Sequence, residues 1–148
     1  MKRLTFRIVI LTFAIAFAIS TPAFAAGSIA GGVYVENGNG QSVTGGGVLL
    51  STTSPLPLLP ATIGLTGFLP LARGGGYAVT VDGTFSFVNN ALGLGYGIGQ
   101  FGGARGSGTA TAFLLHKIAP FTSVELRAYF PAGSHAATAG FLGLRFSL

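Results

Sequence analysis

The stretch YAVTVDGTFSFV, from Tyr77 to Val88, decides the fold because its two faces differ in kind. Tyr77, Val79, Val81, Phe85 and Phe87 fall on odd positions, with Gly83 among them. Ala78, Thr80, Asp82, Thr84 and Ser86 fall on even ones. Apolar residues at every second position mark a β-strand, whose successive side chains point to opposite sides of the sheet. In a soluble sandwich the odd face is the core. In a membrane barrel it touches lipid, and Asp82 points into the lumen.

The residues before this stretch change how the charge is read. Lys2, Arg3 and Arg7 form a basic start, followed by the apolar run IVILTFAIAFAI from Ile8 to Ile19. STPAFA comes next, with Ala23 and Ala25 in the small-residue cleavage positions and Pro22 as a helix breaker. This is the pattern of a secretory signal peptide over residues 1–25, cut after Ala25. Twelve apolar residues are too few to cross about 30 Å of hydrocarbon as a helix, so a retained helical anchor is disfavoured.

The mature domain, residues 26–148, then keeps Arg73, Arg105, Lys117, Arg127 and Arg145 against Glu36, Asp82 and Glu125. A net charge of +2 with no basic run removes the case for nucleic-acid binding. Charged residues make up 7% of the chain, where soluble domains carry about 25%. The absence of cysteine excludes both a disulfide framework and a thiolate metal site.

Glycine and proline interrupt the mature sequence too often for long helices. The apolar segments between them read as eight strands, near Ser28–Glu36, Val43–Ser51, Ala61–Leu71, Tyr77–Val88, Ala91–Phe101, Thr109–Ile118, Thr122–Phe130 and Ala137–Leu148. Each is close to the nine to eleven residues of a tilted transmembrane strand. In the third, Ala61, Ile63, Leu65, Leu69 and Leu71 oppose Thr62, Gly64, Thr66, Phe68 and Pro70. In the fifth, Leu92, Leu94, Tyr96 and Ile98 alternate with glycines. The sixth resists assignment, because Phe113 and Leu115 interrupt its pattern.

Charge placement identifies the face turned away from lipid. Asp82, Glu125, Arg127 and Arg145 all lie mid-strand, opposite the large apolar residues, among Gly, Thr, Ser and Ala. A narrow lumen explains both the small residues and the few charges, which can pair there. The expected fold is an all-β, eight-stranded antiparallel up-and-down transmembrane β-barrel. VNN at Val88–Asn90 and APF at Ala119–Phe121 are its tight periplasmic turns, and TTSPLPLLP is a longer one. NGNGQ, ARGGG, GGARGSG and PAGSHAA are the outward loops.

In these features the sequence resembles the small eight-stranded outer-membrane β-barrel proteins of Gram-negative-type bacteria. The likeness covers the whole chain, from the signal peptide to the last strand. GFLGLRFSL looks like the C-terminal signal read by the barrel-assembly machinery, with Phe146 third from last and Leu148 where the family usually ends on an aromatic residue. The resemblance implies an outer-membrane location, contact with outer-membrane lipid and lipopolysaccharide, and a monomer.

The candidate site is the lumen charge network of Asp82, Glu125, Arg127 and Arg145. With the last hairpin turning about His135, Glu125 and Arg145 stand directly opposite on one face. Lone buried charges are costly and pairing relieves them. Eight strands leave an interior just wide enough for side chains, so a packed plug is favoured over an ion path. The glycine face of the fifth strand is filled by Tyr34 or another aromatic, or else leaves a narrow water cavity.

Tyr77 and Phe130 form an aromatic girdle at the outer rim; Phe85, Phe87, Phe121 and Phe146 form one at the periplasmic rim. Arg73 and Arg105, in outward loops, are positioned to meet lipopolysaccharide phosphates.

Two other readings compete. Ser134 and His135 suggest a lipid-A-modifying enzyme, but adjacent residues point apart, and the deacylase pattern places a serine where this chain has Ala137. A secreted soluble barrel would instead bind an apolar ligand inside. His116 and His135, without clustered carboxylates, make no metal site. No catalytic residue, cofactor or metal is expected.

Overall fold

The computed structural model describes residues 26–38, 40–56, 58–71, 74–102, 106–133 and 137–148. The signal segment and the loop residues Arg73, Arg105, Ser134 and His135 lie outside them. Eight strands, β1 (Ala26–Gly38), β2 (Gln41–Pro55), β3 (Ala61–Pro70), β4 (Tyr77–Phe87), β5 (Asn90–Gln100), β6 (Ser107–Ala119), β7 (Thr122–Pro131) and β8 (Thr138–Ser147), follow one another. Each pairs antiparallel with its neighbour, and β8 closes on β1. Closure leaves no unpaired strand edge, as a barrel in lipid requires.

The register fixes the tilt. Following cross-strand partners around the wall leads from Ala26 through Thr53, Gly64, Asp82, Gly95, Thr111, Tyr129 and Ala139 to Glu36. That point is ten residues further along β1. A stagger of this size over eight strands tilts them by about 40° from the barrel axis.

Side chains alternate between lumen and exterior on every strand. Val33, Ile63, Val81, Leu94, Ile98 and Leu142 are exposed outside, whereas Tyr34, Phe68, Thr80, Glu125 and Arg127 are buried inside. On β4 the face of Ala78, Thr80 and Asp82 is interior and that of Val81 and Phe85 is exterior. The polarity is inverted relative to a soluble protein.

Three local expectations need correcting. Thr52–Pro55 belong to β2, so the proline-bearing turn begins only at Leu56. Glu125 stands opposite Gly143, and Arg145 opposite Ser123; the two charges are diagonal rather than direct neighbours. The ambiguous β6 presents Thr109, Thr111 and Phe113 to the lumen. Its large inward side chain is accommodated because Gly93, its direct partner on β5, has none.

Candidate functional site

Within the described residues the lumen contains three layers, built from inward positions of different strands. The layer toward the short turns is a hydrogen-bonded ring. Arg145 Nε donates to Glu125 Oε2 at 2.7 Å, and Arg127 Nε donates to Glu125 Oε1 at 2.8 Å. Arg127 Nη1 continues to Asp82 Oδ2 at 2.7 Å. Asp82 also accepts from Thr66 Oγ1 and Thr80 Oγ1, both at 2.7 Å. Thr66 meets Ser51 Oγ at 3.0 Å, and Ser51 accepts from Arg145 Nη2 at 3.3 Å, closing the circuit. A further bond from Arg145 Nη1 to Ser28 ties in β1.

This ring joins β1, β2, β3, β4, β7 and β8 through side chains alone. It holds two positive and two negative groups, so the layer is neutral. Charge-assisted bonds of this length are stronger than neutral ones, and desolvation makes removal of any single partner expensive.

The remaining two strands contribute differently. β5 offers only glycine to this level, and each is needed. A Cβ at Gly93 would overlap the Phe113 ring, and one at Gly95 would overlap Asp82 Oδ1. The glycine face is therefore filled by Phe113 from the adjacent strand and by Asp82. The Arg127 guanidinium lies over that phenyl ring, 3.9 Å from its centre, a cation–π contact in a desolvated setting.

Above the ring sits an aromatic plug. Phe68 packs against Tyr34 (5.0 Å between ring centres), Tyr129 (5.2 Å) and Phe141 (6.0 Å). Phe101, just beyond β5, packs on Tyr129 at 5.3 Å and is itself buried. Where the two layers meet, Arg127 Nη2 and the Tyr129 hydroxyl are buried with no hydrogen-bond partner among the described residues.

The third layer is a single carboxylate. Glu36 is buried and accepts from the Tyr34 hydroxyl, from Gly76 N at 2.9 Å and from Gly102 N. Gly76 precedes β4 and Gly102 follows β5, so one side chain of β1 fastens two connecting segments across the barrel mouth. Glu36 and Phe101 were not among the expected site residues. Both follow the inward parity of their strands, Glu36 after Tyr34 and Phe101 after Gly97 and Gly99, and that signal was available.

The aromatic residues named as girdles lie at the two ends. Phe85, Phe87, Phe121 and Phe146 gather at the turn end, all exposed; Phe130 is exposed near the opposite end, and Tyr77 begins β4 there, partly buried. His116 is on the exterior, where its Nδ1 lies 2.9 Å from Asn90 Oδ1. Arg73, Arg105, Ser134 and His135 lie outside the described residues.

A closed barrel of this fold recurs among solved structures. Neisserial surface protein A matches with a TM-score of 0.64 at 12% identity, over 84% of this chain and 97% of that one. The fold is that of the small eight-stranded outer-membrane β-barrels. Ail, the attachment invasion locus protein of Yersinia pestis, matches at 0.59 and 15% identity, over 84% of this chain and 97% of its own. A de novo designed transmembrane β-barrel matches at 0.55 and 10% identity, over 83% and 95%. No family model and no curated protein matches the sequence.

Proposed function

We propose that this chain is a monomeric outer-membrane β-barrel with a structural or surface-interaction role, no catalytic activity, and a lumen too full to conduct ions. The observation that carries the proposal is the inversion of polarity. All three acidic side chains of the chain lie inside the barrel, while the large exposed side chains of the wall are mostly Leu, Val, Ile and Phe. Residues 1–25 direct export, and the last strand, through Phe146, engages the barrel-assembly machinery.

Arg73 and Arg105, in the sequence segments that link β3 to β4 and β5 to β6, supply positive charge. Contact with lipopolysaccharide phosphates is the interaction that charge favours. The Ail barrel, of similar fold, has been crystallised with the heparin analogue sucrose octasulfate, a polyanion. Asp82, Glu125, Arg127 and Arg145 serve as the plug that closes the lumen, and the exposed phenylalanines at the turn end as an interfacial girdle.

Cell fractionation tests this directly. The protein should be recovered with the outer membrane and run faster on a denaturing gel when unboiled than when boiled. Reconstituted in a planar bilayer, it should show no conductance steps. Recovery as a soluble periplasmic protein would defeat the membrane reading, and steady conductance would defeat the plug.

A further inference from the structure

The two mouths of the lumen differ. Glu36 fastens two connecting segments across one of them, while the turn end admits solvent as far as the charge ring. On β7 the inward residues, read toward that end, are Tyr129, Arg127, Glu125 and Ser123. The first three are exposed by 1% or less, whereas Ser123 is partly exposed. Inward residues of the neighbouring strands follow suit: Ser28 on β1 is partly exposed, and Ser147 on β8 is exposed.

Arg145 is the ring member that this opening reaches. Its side chain is 9% exposed, the most of the ring's four charged groups. A guanidinium has five N–H donors. Three of them go to Glu125, Ser28 and Ser51, which leaves two for another partner.

The register brings a second cation to the same place. Lys117, Ser123 and Arg145 are consecutive cross-strand partners on β6, β7 and β8, so they form one row on the lumen side. Two strand spacings separate the outer pair by about 10 Å, within reach of two long side chains converging on one group. Lys117 is exposed at the rim, and among the described residues it enters no salt bridge. No acidic side chain opposes the row from the open side. Asp82 and Glu125 lie behind it, buried and bonded into the ring, and Glu36 is at the opposite mouth.

We propose that this row binds a phosphate group that enters the lumen from the turn end. Arg145 and Lys117 hold it from two sides through charge-assisted hydrogen bonds, and the Ser123 hydroxyl donates between them. The ring is neutral in itself, so Lys117 supplies the charge that balances the anion. Donors on three adjacent strands suit a tetrahedral oxyanion, whose oxygens accept in several directions, better than a flat carboxylate. That the open mouth faces the periplasm rests on the membrane reading; the row itself requires only the barrel.

Amide NMR of the isotope-labelled full barrel, in a phosphate-free maltoside detergent at fixed ionic strength, tests the proposal. Inorganic phosphate should shift the Ser28, Ser123 and Arg145 amides along one saturable curve. Lys117→Gln should raise the dissociation constant about tenfold, the scale of one lost charged hydrogen bond, and Ser123→Ala about threefold. Lys117→Arg should bind as the parent does. None of these substitutions removes a ring residue, and the unboiled gel shift confirms that each variant is folded. Glycerol phosphate, titrated in parallel, separates two sources of the group. Tighter binding than inorganic phosphate marks a lipid-derived ester, and equal or weaker binding marks the free anion.

Shifts that grow without saturating, or that are the same in Lys117→Gln as in the parent, overturn the site. Recovery of the barrel in solution without detergent defeats the membrane reading alone, and the titration still decides the site.

Discussion

Arg127→Met removes the centre of the lumen ring while keeping most of the side chain's volume. Asp82 then loses its only described cation, and Glu125 keeps Arg145 alone. Two carboxylates remain for one guanidinium in a desolvated layer. Breaking a buried pair from one side costs about 3–5 kcal/mol. Unfolding slopes in urea are about 1–3 kcal/mol per molar. The midpoint for loss of the fast-running gel form in lipid vesicles should therefore fall by about 1–5 M.

The double variant Arg127→Met/Asp82→Asn is the decisive partner. It restores neutrality, because Glu125 and Arg145 still pair, and the new amide at position 82 still meets Thr66 and Thr80. At least half of the lost stability should return, a coupling far outside the additivity expected of independent sites. A single variant that shifts the midpoint by less than about 0.3 M, or a double variant that is merely the sum of two losses, would refute the reasoning, since the ring would then contribute little.

Glu36→Ala should free the segments around Gly76 and Gly102, and trypsin should then cut at Arg73 or Arg105 faster. Loss of about 1.4 kcal/mol of local stability corresponds to a tenfold rate in limited digestion of the folded barrel. Gly93→Ala should prevent tight seating of the Phe113 ring and lower stability by about 1–3 kcal/mol, as overpacking does; the same urea series in vesicles measures it. Gly83→Ala, pointing outward with only the Leu94 carbonyl at 3.9 Å, is the matched control and should cost less than about 0.5 kcal/mol.

The strand count, order and facing were legible because a half-apolar strand has a two-residue period that no other structure shares. On β3, β4, β7 and β8 one face is consistently large and apolar, and the inward side could be read residue by residue. On β6 the rule failed at Phe113, because the space for an inward ring is made by Gly93 on another strand. Partner geometry of that kind lies outside any single strand's pattern. The diagonal pairing of Glu125 with Arg145 was missed for a related reason: register depends on where the hairpin turns, and a one-residue shift of that pivot moves the partner by two while keeping parity. The long arginine bridged the offset all the same. Glu36 was passed over because it sits at the end of β1, where a charge reads as loop. Only the connecting segments, folding back over the mouth with Gly76 and Gly102, bury it.

The wet and dry faces of Tyr77–Val88 carry the whole account, and one scan tests them. The chain has no cysteine, so single cysteines at positions 79, 81, 83 and 85 can each bear a nitroxide in the bilayer-reconstituted barrel. Inversion of polarity predicts that these labels collide readily with dissolved oxygen and hardly at all with a water-soluble nickel chelate. Unlabelled cysteines at 80 and 84 should resist a polar thiol reagent, because the lumen is packed. Nickel collisions as frequent as oxygen collisions at the odd positions would show that face to be in water, and would contradict the barrel's placement in lipid.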